Sequence, residues 1–245
     1  MRALILAAGF ASRLRPLTDS IPKSLLEIGG QAILGRMLHY LYDHGIRELG
    51  IVTGYRASQI TDYLTKEFPH VEVTCLYNEV YQTTNNIYSL YLARQFAVDH
   101  DIYLLDSDII FDRRILELLR EYPEPDCLAM RSYGPIGDEE MKVTAGKDGR
   151  IIDISKRILP EESSGESIGI EKFSAGFVNR LFAVLTEMIE KQGQSDRFYE
   201  EAFKRVIEQG YPLFAVDVGQ LRCVEIDTVD DLLHAETEVR QFIDG

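Results

Sequence analysis

The distribution of apolar positions changes character about halfway along this chain. In the first half, short apolar runs alternate with stretches whose apolar residues recur every three or four positions. Ala3-Leu-Ile-Leu-Ala7, Leu49-Gly-Ile-Val-Thr53, Val71 to Tyr77 and Asp101-Ile-Tyr-Leu-Leu105 read as strands, the first and last of them buried. Gln31 to His44 carries Ile33, Leu34, Met37, Leu38 and Leu41 at helical spacing, and Gly45 follows where a helix C-terminus favours glycine. Ala57 to Phe68 and Ile87 to Phe96 read as further helices, and Leu25 to Ile28 as a short strand ending at Gly29-Gly30. Strand–helix alternation with short links predicts right-handed crossovers and a mostly parallel sheet covered on both faces.

After a short helix over Arg113 to Glu121, Pro123 and Pro125 interrupt the chain and the pattern turns to strands without intervening helices. Cys127 to Ser132, Lys142 to Ala145 and Arg150 to Ile154 are strand candidates, and Lys147-Asp-Gly149 predicts a hairpin between the last two. Ser167 to Phe173, Phe214 to Val216 and Val224 to Ile226 complete the strands. Ala175 to Lys191, Asp196 to Glu208 and Val229 to Phe242 are amphipathic and predict helices. No linker divides the chain, so residues 1–245 are expected to form one domain, with the later strands and helices added to the edge of the first sheet over one core.

Composition narrows the class. The chain has 245 residues, 45% hydrophobic and 27% charged, ordinary values for a globular protein. It contains no apolar run of about eighteen residues, so no membrane span is expected. Met1 leads almost at once into the first strand, which predicts a cytoplasmic protein. Cys75, Cys127 and Cys223 are scattered, with no Cys-x-x-Cys, which argues against disulfides and zinc. A net charge of −14 makes nucleic acid a poor partner. Any affinity for polyphosphate must therefore come from local positive charge, with Mg²⁺ sharing the task.

Local positive charge is concentrated where the first strand ends. Ala8-Gly9 opens a loop that carries Arg13, Arg15 and Pro16, then Pro22-Lys23 before apolar residues resume. A strand emptying into a Gly-containing loop can aim backbone N–H groups at an anion, and the three cations reinforce it. The loop is neither a P-loop nor a dinucleotide fingerprint, since both glycine spacings are missing. Asp106-Ser107-Asp108 follows a buried strand, at the sheet edge where ligands sit in open α/β folds. Those carboxylates are either solvated loop acids or oxygen ligands for Mg²⁺. Asp227-Thr228 follows the last strand and is either a helix cap or part of the same site. Thr83, Thr84, Asn85 and Asn86 can cap a helix or read hydrogen-bonding edges. Phe198-Tyr199-Glu200-Glu201 combines aromatic and acidic groups that suit a cation, or simply the outer face of a helix.

Leu6-Ala-Ala-Gly9, Arg13-Leu14, Pro16 and Pro22-Lys23-Ser-Leu25 together resemble the amino-terminal signature of the nucleotidyltransferases that make activated sugars and alcohols. These include the sugar-1-phosphate pyrophosphorylases and the bacterial phosphocholine cytidylyltransferases. Many members have glycine where this chain has Ala11, a change small enough to leave the backbone approachable. The resemblance implies an α/β fold with a Rossmann-like, mostly parallel mixed sheet flanked by helices. It also implies a nucleotide-binding half over residues 1–122 and an acceptor-binding α+β half over residues 123–245.

What the resemblance implies for function is residue-specific. Leu6, Ala7, Ala8 and Gly9 would hold the nucleotide, Arg13 would neutralise its β- and γ-phosphates, and Lys23 would lie near the α-phosphate. Asp108 and Asp227 would share Mg²⁺. Asp106 adds the second acid of the Asp-x-Asp that the phosphocholine-type enzymes also show. Their Asn-Asn-x-Tyr-Ser-Leu segment matches Asn85-Asn86-Ile-Tyr-Ser89-Leu90, which tilts the base toward cytosine and assigns Asn78, Asn85, Asn86 and Ser89 to the nucleotide. Lys156, Tyr199 and Glu200 are the acceptor candidates. Lys156 lacks the flanking proline of many sugar enzymes. The chain also has no Trp, the aromatic best suited to a quaternary ammonium, which weakens the case for choline itself. The implied reaction joins CTP to a small phosphorylated acceptor and releases pyrophosphate. The rivals are a sugar-1-phosphate nucleotidyltransferase using UTP, dTTP or GTP, and a non-catalytic nucleotide-sensing subunit. The oligomeric state is not implied.

Overall fold

The computed structural model describes residues 1–134 and 136–239. The first half alternates as its pattern predicts: β1 (Arg2–Ala7), the small hairpin β2 (Glu27–Ile28) and β3 (Gln31–Ala32), α1 (Ile33–Asp43), β4 (Glu48–Thr53), α2 (Ala57–Glu67), β5 (Glu72–Tyr77), α3 (Asn86–Leu92), α4 (Arg94–Ala97), β6 (Ile102–Asp106), β7 (Ile109–Phe111) and α5 (Arg114–Glu121). The second half supplies β8 (Cys127–Arg131), β9 (Lys142–Ala145), β10 (Ile151–Ser155), β11 (Gly165–Phe173), α6 (Ala175–Thr186), α7 (Glu200–Glu208), β12 (Phe214–Asp217), β13 (Cys223–Glu225) and α8 (Val229–Glu238).

Several boundaries shift for local reasons. Gln31 and Ala32 leave the predicted helix because they pair with Ile28 and Glu27. The stretch from Ile87 to Phe96 breaks at Ala93 into two short helices. The helix from Ala175 passes into a π-helical turn over Glu187–Lys191, and the helix expected from Asp196 begins only at Glu200. β7 has no counterpart in the sequence reading; it pairs antiparallel with β13. Phe242, the expected end of the last helix, lies outside the described residues.

The central sheet is mixed. β6, β1, β4 and β5 lie side by side and parallel. The second half joins at β6, where Ile170 to Phe173 of β11 pair antiparallel with Leu105 to Ile102. Along β11, Glu166 is flanked by β8 and β9, while Glu171 is flanked by β8 and β6. β11 bends between these segments at Gly169, whose φ of +70° only glycine adopts cheaply. A Cβ there would stand 2.7 Å from Asp106 Oδ2, so glycine also makes room for that carboxylate.

Strand alternation sends the residues of β1 into two cores. Ala3, Ile5 and Ala7 pack with α1, α2 and α5, through residues such as Leu38, Ile60 and Leu116. Leu4 and Leu6 pack with α3, α6 and α7, through Leu90, Phe177 and Phe203. Both cores draw on residues from either half. A third cluster, including Leu14, Leu26, Ile110, Ile226 and Ala235, fastens the amino-terminal loop to β7 and to the start of α8. Two chain segments more than two hundred residues apart in sequence thereby meet beside the ends of β1 and β6.

Candidate active site

At the carboxyl ends of β1 and β6 the surface opens into a cleft of about 800 Å³. Leu6 to Gly9 form one wall. Beyond Gly9 the chain makes short 3-10 turns over Ser12–Leu14, Leu17–Asp19 and Lys23–Leu25. Ala11 holds the first turn with φ +44° and ψ 58°, a left-handed conformation that glycine would adopt more cheaply. The loop is bound internally by Thr18 Oγ1 donating to Ala11 O at 2.8 Å. It is bound externally by the turn after β4. Tyr55 Oη donates to the carbonyls of Thr18 and Asp19, Arg56 to Asp19 and Gln59 to Ser20.

Two of the three loop cations converge on the predicted acids, while Arg15 pairs with Asp19 at 3.3 Å and lies outside the cleft. Lys23 Nζ lies 2.9 Å from Asp108 Oδ2 and 2.8 Å from Asp227 Oδ1. Arg13 Nη2 lies 2.6 Å from Asp227 Oδ2. The Lys23 side chain is only 10% exposed, whereas Asp108 and Asp227 keep 27% each and face the cleft. Burial opposes the charge on Lys23, but Asp108 and Asp227 outweigh it and raise its pKa. Burial likewise opposes the charge on Asp227, while Lys23 and Arg13 pull its pKa below the usual carboxylate range.

A third acid, Glu225, completes the group. One ligand oxygen from each of Asp108, Glu225 and Asp227 falls within 4.8 Å of the others. Burial beside Asp108 and Asp227 pushes Glu225 up to about 8. Glu225 carries no motif of its own in the sequence; its proximity depends on the β7–β13 pairing, which places Glu225 opposite Ile109. Three hard oxygen donors fit a divalent cation of the Mg²⁺ class, and the Lys23 ammonium already lies on two of them as a stand-in charge. The rival capping role of Asp227 falls to its neighbour. Thr228 caps α8 by accepting from Asp231 N, and Asp231 accepts from Thr228 N, so Asp227 is left to the site.

Along the opposite wall, the predicted nucleotide residues are brought together but are also tied to one another. Asn78 Nδ2 donates to Ser89 Oγ at 3.2 Å and to Thr84 Oγ1 at 3.3 Å. Asn85 caps α3 by accepting from Asn86 N, and Asn86 Oδ1 accepts from Tyr199 N. All four asparagine and serine side chains line the cleft, as does Tyr81.

The acceptor candidates divide. Lys156 and Glu200 line the cleft together with Phe198, over whose ring Lys156 Nζ sits at 4.6 Å from the centroid. Tyr199 is fully buried beneath them and is no part of the wall; the turn into α7 points it inward, where its Oη donates to Asp106 Oδ2 at 3.0 Å. Phe198 carries the aromatic surface instead, a swap that one residue of helical rotation produces. Burial, then Asp108, Glu200 and Glu225, hold Asp106 well above the usual carboxylate range, against the pull of the Tyr199 hydrogen bond. Burial also lifts Glu200 to about 7, with Lys156 pulling the other way.

The geometry brings the Leu6–Gly9 backbone, two cations and three carboxylates into one cleft, and comparison decides the family. Residues 2–241 match the nucleotidyl transferase family. This chain is a member of that family. As a nucleotidyltransferase it is 43% identical over 235 residues to the choline-phosphate cytidylyltransferase of Haemophilus influenzae, covering 96% of this chain and 95% of that one. It is 26% identical over 243 residues to the CMP-5'-(3-aminopropyl)phosphonate synthase of Streptomyces rubellomurinus, spanning 96% of this chain but only 38% of that longer protein. The solved structure of a CTP:phosphocholine cytidylyltransferase from Streptococcus pneumoniae superposes with a TM-score of 0.81 at 24% identity, covering 97% of this chain and 98% of that one. That structure establishes the shared nucleotidyltransferase fold. Among the described residues, no helix is long and apolar enough to cross a membrane.

Proposed function

We propose that this nucleotidyltransferase transfers CMP from CTP to a small phosphorylated acceptor, giving a CDP-linked product and pyrophosphate. The observation that carries the reading is the convergence of Arg13 and Lys23 on Asp108 and Asp227 beside the Leu6–Gly9 backbone. The similarity to the Haemophilus influenzae cytidylyltransferase supports cytosine as the base and a phosphorylated acceptor. Such a reaction draws on the cytoplasmic nucleotide pool.

The acceptor phosphate is already anionic, so the reaction needs no general base. One of its oxygens forms a bond to the α-phosphorus as the bond from that phosphorus to the bridging oxygen breaks, and the electron pair leaves with pyrophosphate. The barrier arises from anion–anion repulsion and from charge growing on the leaving group, so positioning and electrostatics provide the catalysis. Arg13 and Lys23 swing from carboxylates to phosphates, Arg13 toward the leaving group and Lys23 toward the α-phosphate. Asp108 and Asp227, with Glu225 beside them, would hold Mg²⁺, which when bound would supply positive charge to offset that of the nucleotide.

Lys156, Phe198 and Glu200 form the acceptor wall in this reading. Lys156 meets the acceptor phosphate, and the Phe198 ring with the Glu200 carboxyl faces a cationic head group such as an ammonium. Removing one stabilising charge from such a site typically costs roughly two to three decades of turnover. Arg13→Ala and Lys23→Ala are expected to lose that much pyrophosphate release with unchanged circular dichroism; near-normal turnover in either would refute the assignment. A panel of nucleoside triphosphates with phosphocholine, phospho-amine and sugar-1-phosphate acceptors tests the substrate. CTP should be preferred, and a preference for UTP, dTTP or GTP would point to the sugar-nucleotide reading instead. Nucleotide binding without pyrophosphate release across the whole panel would point to a sensing subunit.

A further inference from the structure

Lys23 bonds to the carboxylates that a divalent cation would need. Its ammonium contacts Asp108 Oδ2 and Asp227 Oδ1 at 2.9 and 2.8 Å, and Arg13 takes the remaining oxygen of Asp227 at 2.6 Å. Both oxygens of Asp227 are thereby engaged by cations of the chain itself. Lys23 is largely enclosed, with its side chain 10% exposed, so neither water nor salt screens this contact as it would a surface pair. The fixed geometry of the 3-10 turn over Lys23–Leu25, packed on α1, aims the lysine at these acids.

We infer that Lys23 is a built-in competitor of the metal, and that metal loading therefore depends on the nucleotide. The inference rests on the nucleotidyltransfer reading of the cleft. An ammonium and a divalent cation cannot share the same oxygens at bonding distance, because two positive centres within about 3–4 Å repel strongly in a partly buried site. While Lys23 holds Asp108 and Asp227, the cradle presents less negative charge and fewer free oxygens to a cation. Nucleotide phosphates offer Lys23 and Arg13 an alternative anion. Once both side chains turn to the phosphates, the carboxylates are released to the metal. Metal and nucleotide affinities are then coupled, and linkage makes the coupling reciprocal. The device keeps part of the acidic cluster neutralised when no nucleotide is present, so that the clustered carboxylates are not left facing one another alone.

The test uses Mn²⁺ as the probe and the full chain without nucleotide, with free Mn²⁺ read by electron paramagnetic resonance. Lys23→Met is expected to bind Mn²⁺ at least about tenfold more tightly than the unsubstituted protein, a shift of about 1.4 kcal/mol. Lys23→Arg, which keeps the charge, should remain weak, and adding Asp227→Asn to Lys23→Met should abolish the gain. Equal or weaker binding by Lys23→Met would overturn the inference, as would a gain that survives Asp227→Asn. Should Lys23→Met fail to fold in chelator, recovery of a cooperative melt on adding Mn²⁺ supports the inference and absence of recovery overturns it. Because occupancy is measured without nucleotide, the result separates from the substrate panel. A protein that turns over CTP but shows no gain in Lys23→Met loses only this inference; one that gains Mn²⁺ affinity yet uses no nucleotide loses only the functional reading.

Discussion

Ala11 concentrates the tension between stability and site geometry in a single residue. Its φ of +44° places a Cβ in a region that costs a non-glycine residue about 1–3 kcal/mol, yet the conformation is what turns the loop so that Arg13 reaches Asp227. Alanine is the smallest side chain that still restricts the unfolded backbone, so Ala11→Gly should change stability little, strain relief offsetting the added unfolded-state entropy. A β-branched residue meets both penalties without relief. Ala11→Val is expected to lower stability by about 1–3 kcal/mol in urea denaturation and to reduce turnover with it. Retention of full stability would mean the loop has another accessible path.

At the scale of elements, the amino-terminal loop is held by a neighbour with no predicted role in the chemistry. The turn between β4 and α2 sends Tyr55, Arg56 and Gln59 to three consecutive carbonyls at residues 18–20, and Arg56 adopts φ +50° in doing so. Partly exposed hydrogen bonds of this kind contribute only about 0.5–1.5 kcal/mol each to folding. Their larger effect is on the order of the loop that carries Arg13. Tyr55→Phe should therefore leave the melting temperature within a few degrees while lowering kcat roughly tenfold, since small misplacements of a stabilising charge weaken catalysis steeply. An unchanged kcat in a folded Tyr55→Phe protein would show that the loop orders itself without this support. The element at the far end of the chain works in the same direction. The Thr228–Asp231 capping box fixes the start of α8 and so fixes Asp227 one residue before it.

For the molecule as a whole, the second half is joined to the first by a continuous sheet, and buried acids sit near the seam. Glu200 is held at about 7 by burial, above the ordinary value of 4.5. Below the unfolded pKa both states carry the proton and the group contributes nothing. Between about 4.5 and 7 the unfolded chain ionises while the folded chain retains its proton, so stability falls as pH rises through that window, by about 3 kcal/mol in all. Asp106 and Glu171, also raised by burial, act with the same sign. Glu200→Gln should flatten this part of the stability profile, gaining on the unsubstituted protein from about pH 5 and most above pH 7, as read by chemical denaturation across pH. A parallel profile for the two proteins would show that Glu200 is solvated and ionised in the folded state. The same substitution should weaken use of a cationic acceptor.

The alternation of apolar runs and helical spacing was enough to find the parallel strands β1, β4, β5 and β6 and the helices between them, and it worked best for β1, β4 and β6, whose buried runs are almost continuously apolar. The resemblance carried by the loop motif grouped Arg13 and Lys23 with Asp108 and Asp227, whereas local chemistry alone left the two aspartates as loop acids or a helix cap. Three things were decided only by tertiary structure. β7 is three residues long and is a strand solely because β13 pairs with it, and that pairing recruits Glu225 to the carboxylate group. Whether Asp227 caps a helix or faces the site depended on Thr228 taking the cap. Whether Tyr199 or Phe198 faces the acceptor depended on the rotation of α7 against the core. Each is a question of which way a side chain points or what meets it across the fold, and periodicity along one segment carries no information about the partner that answers it.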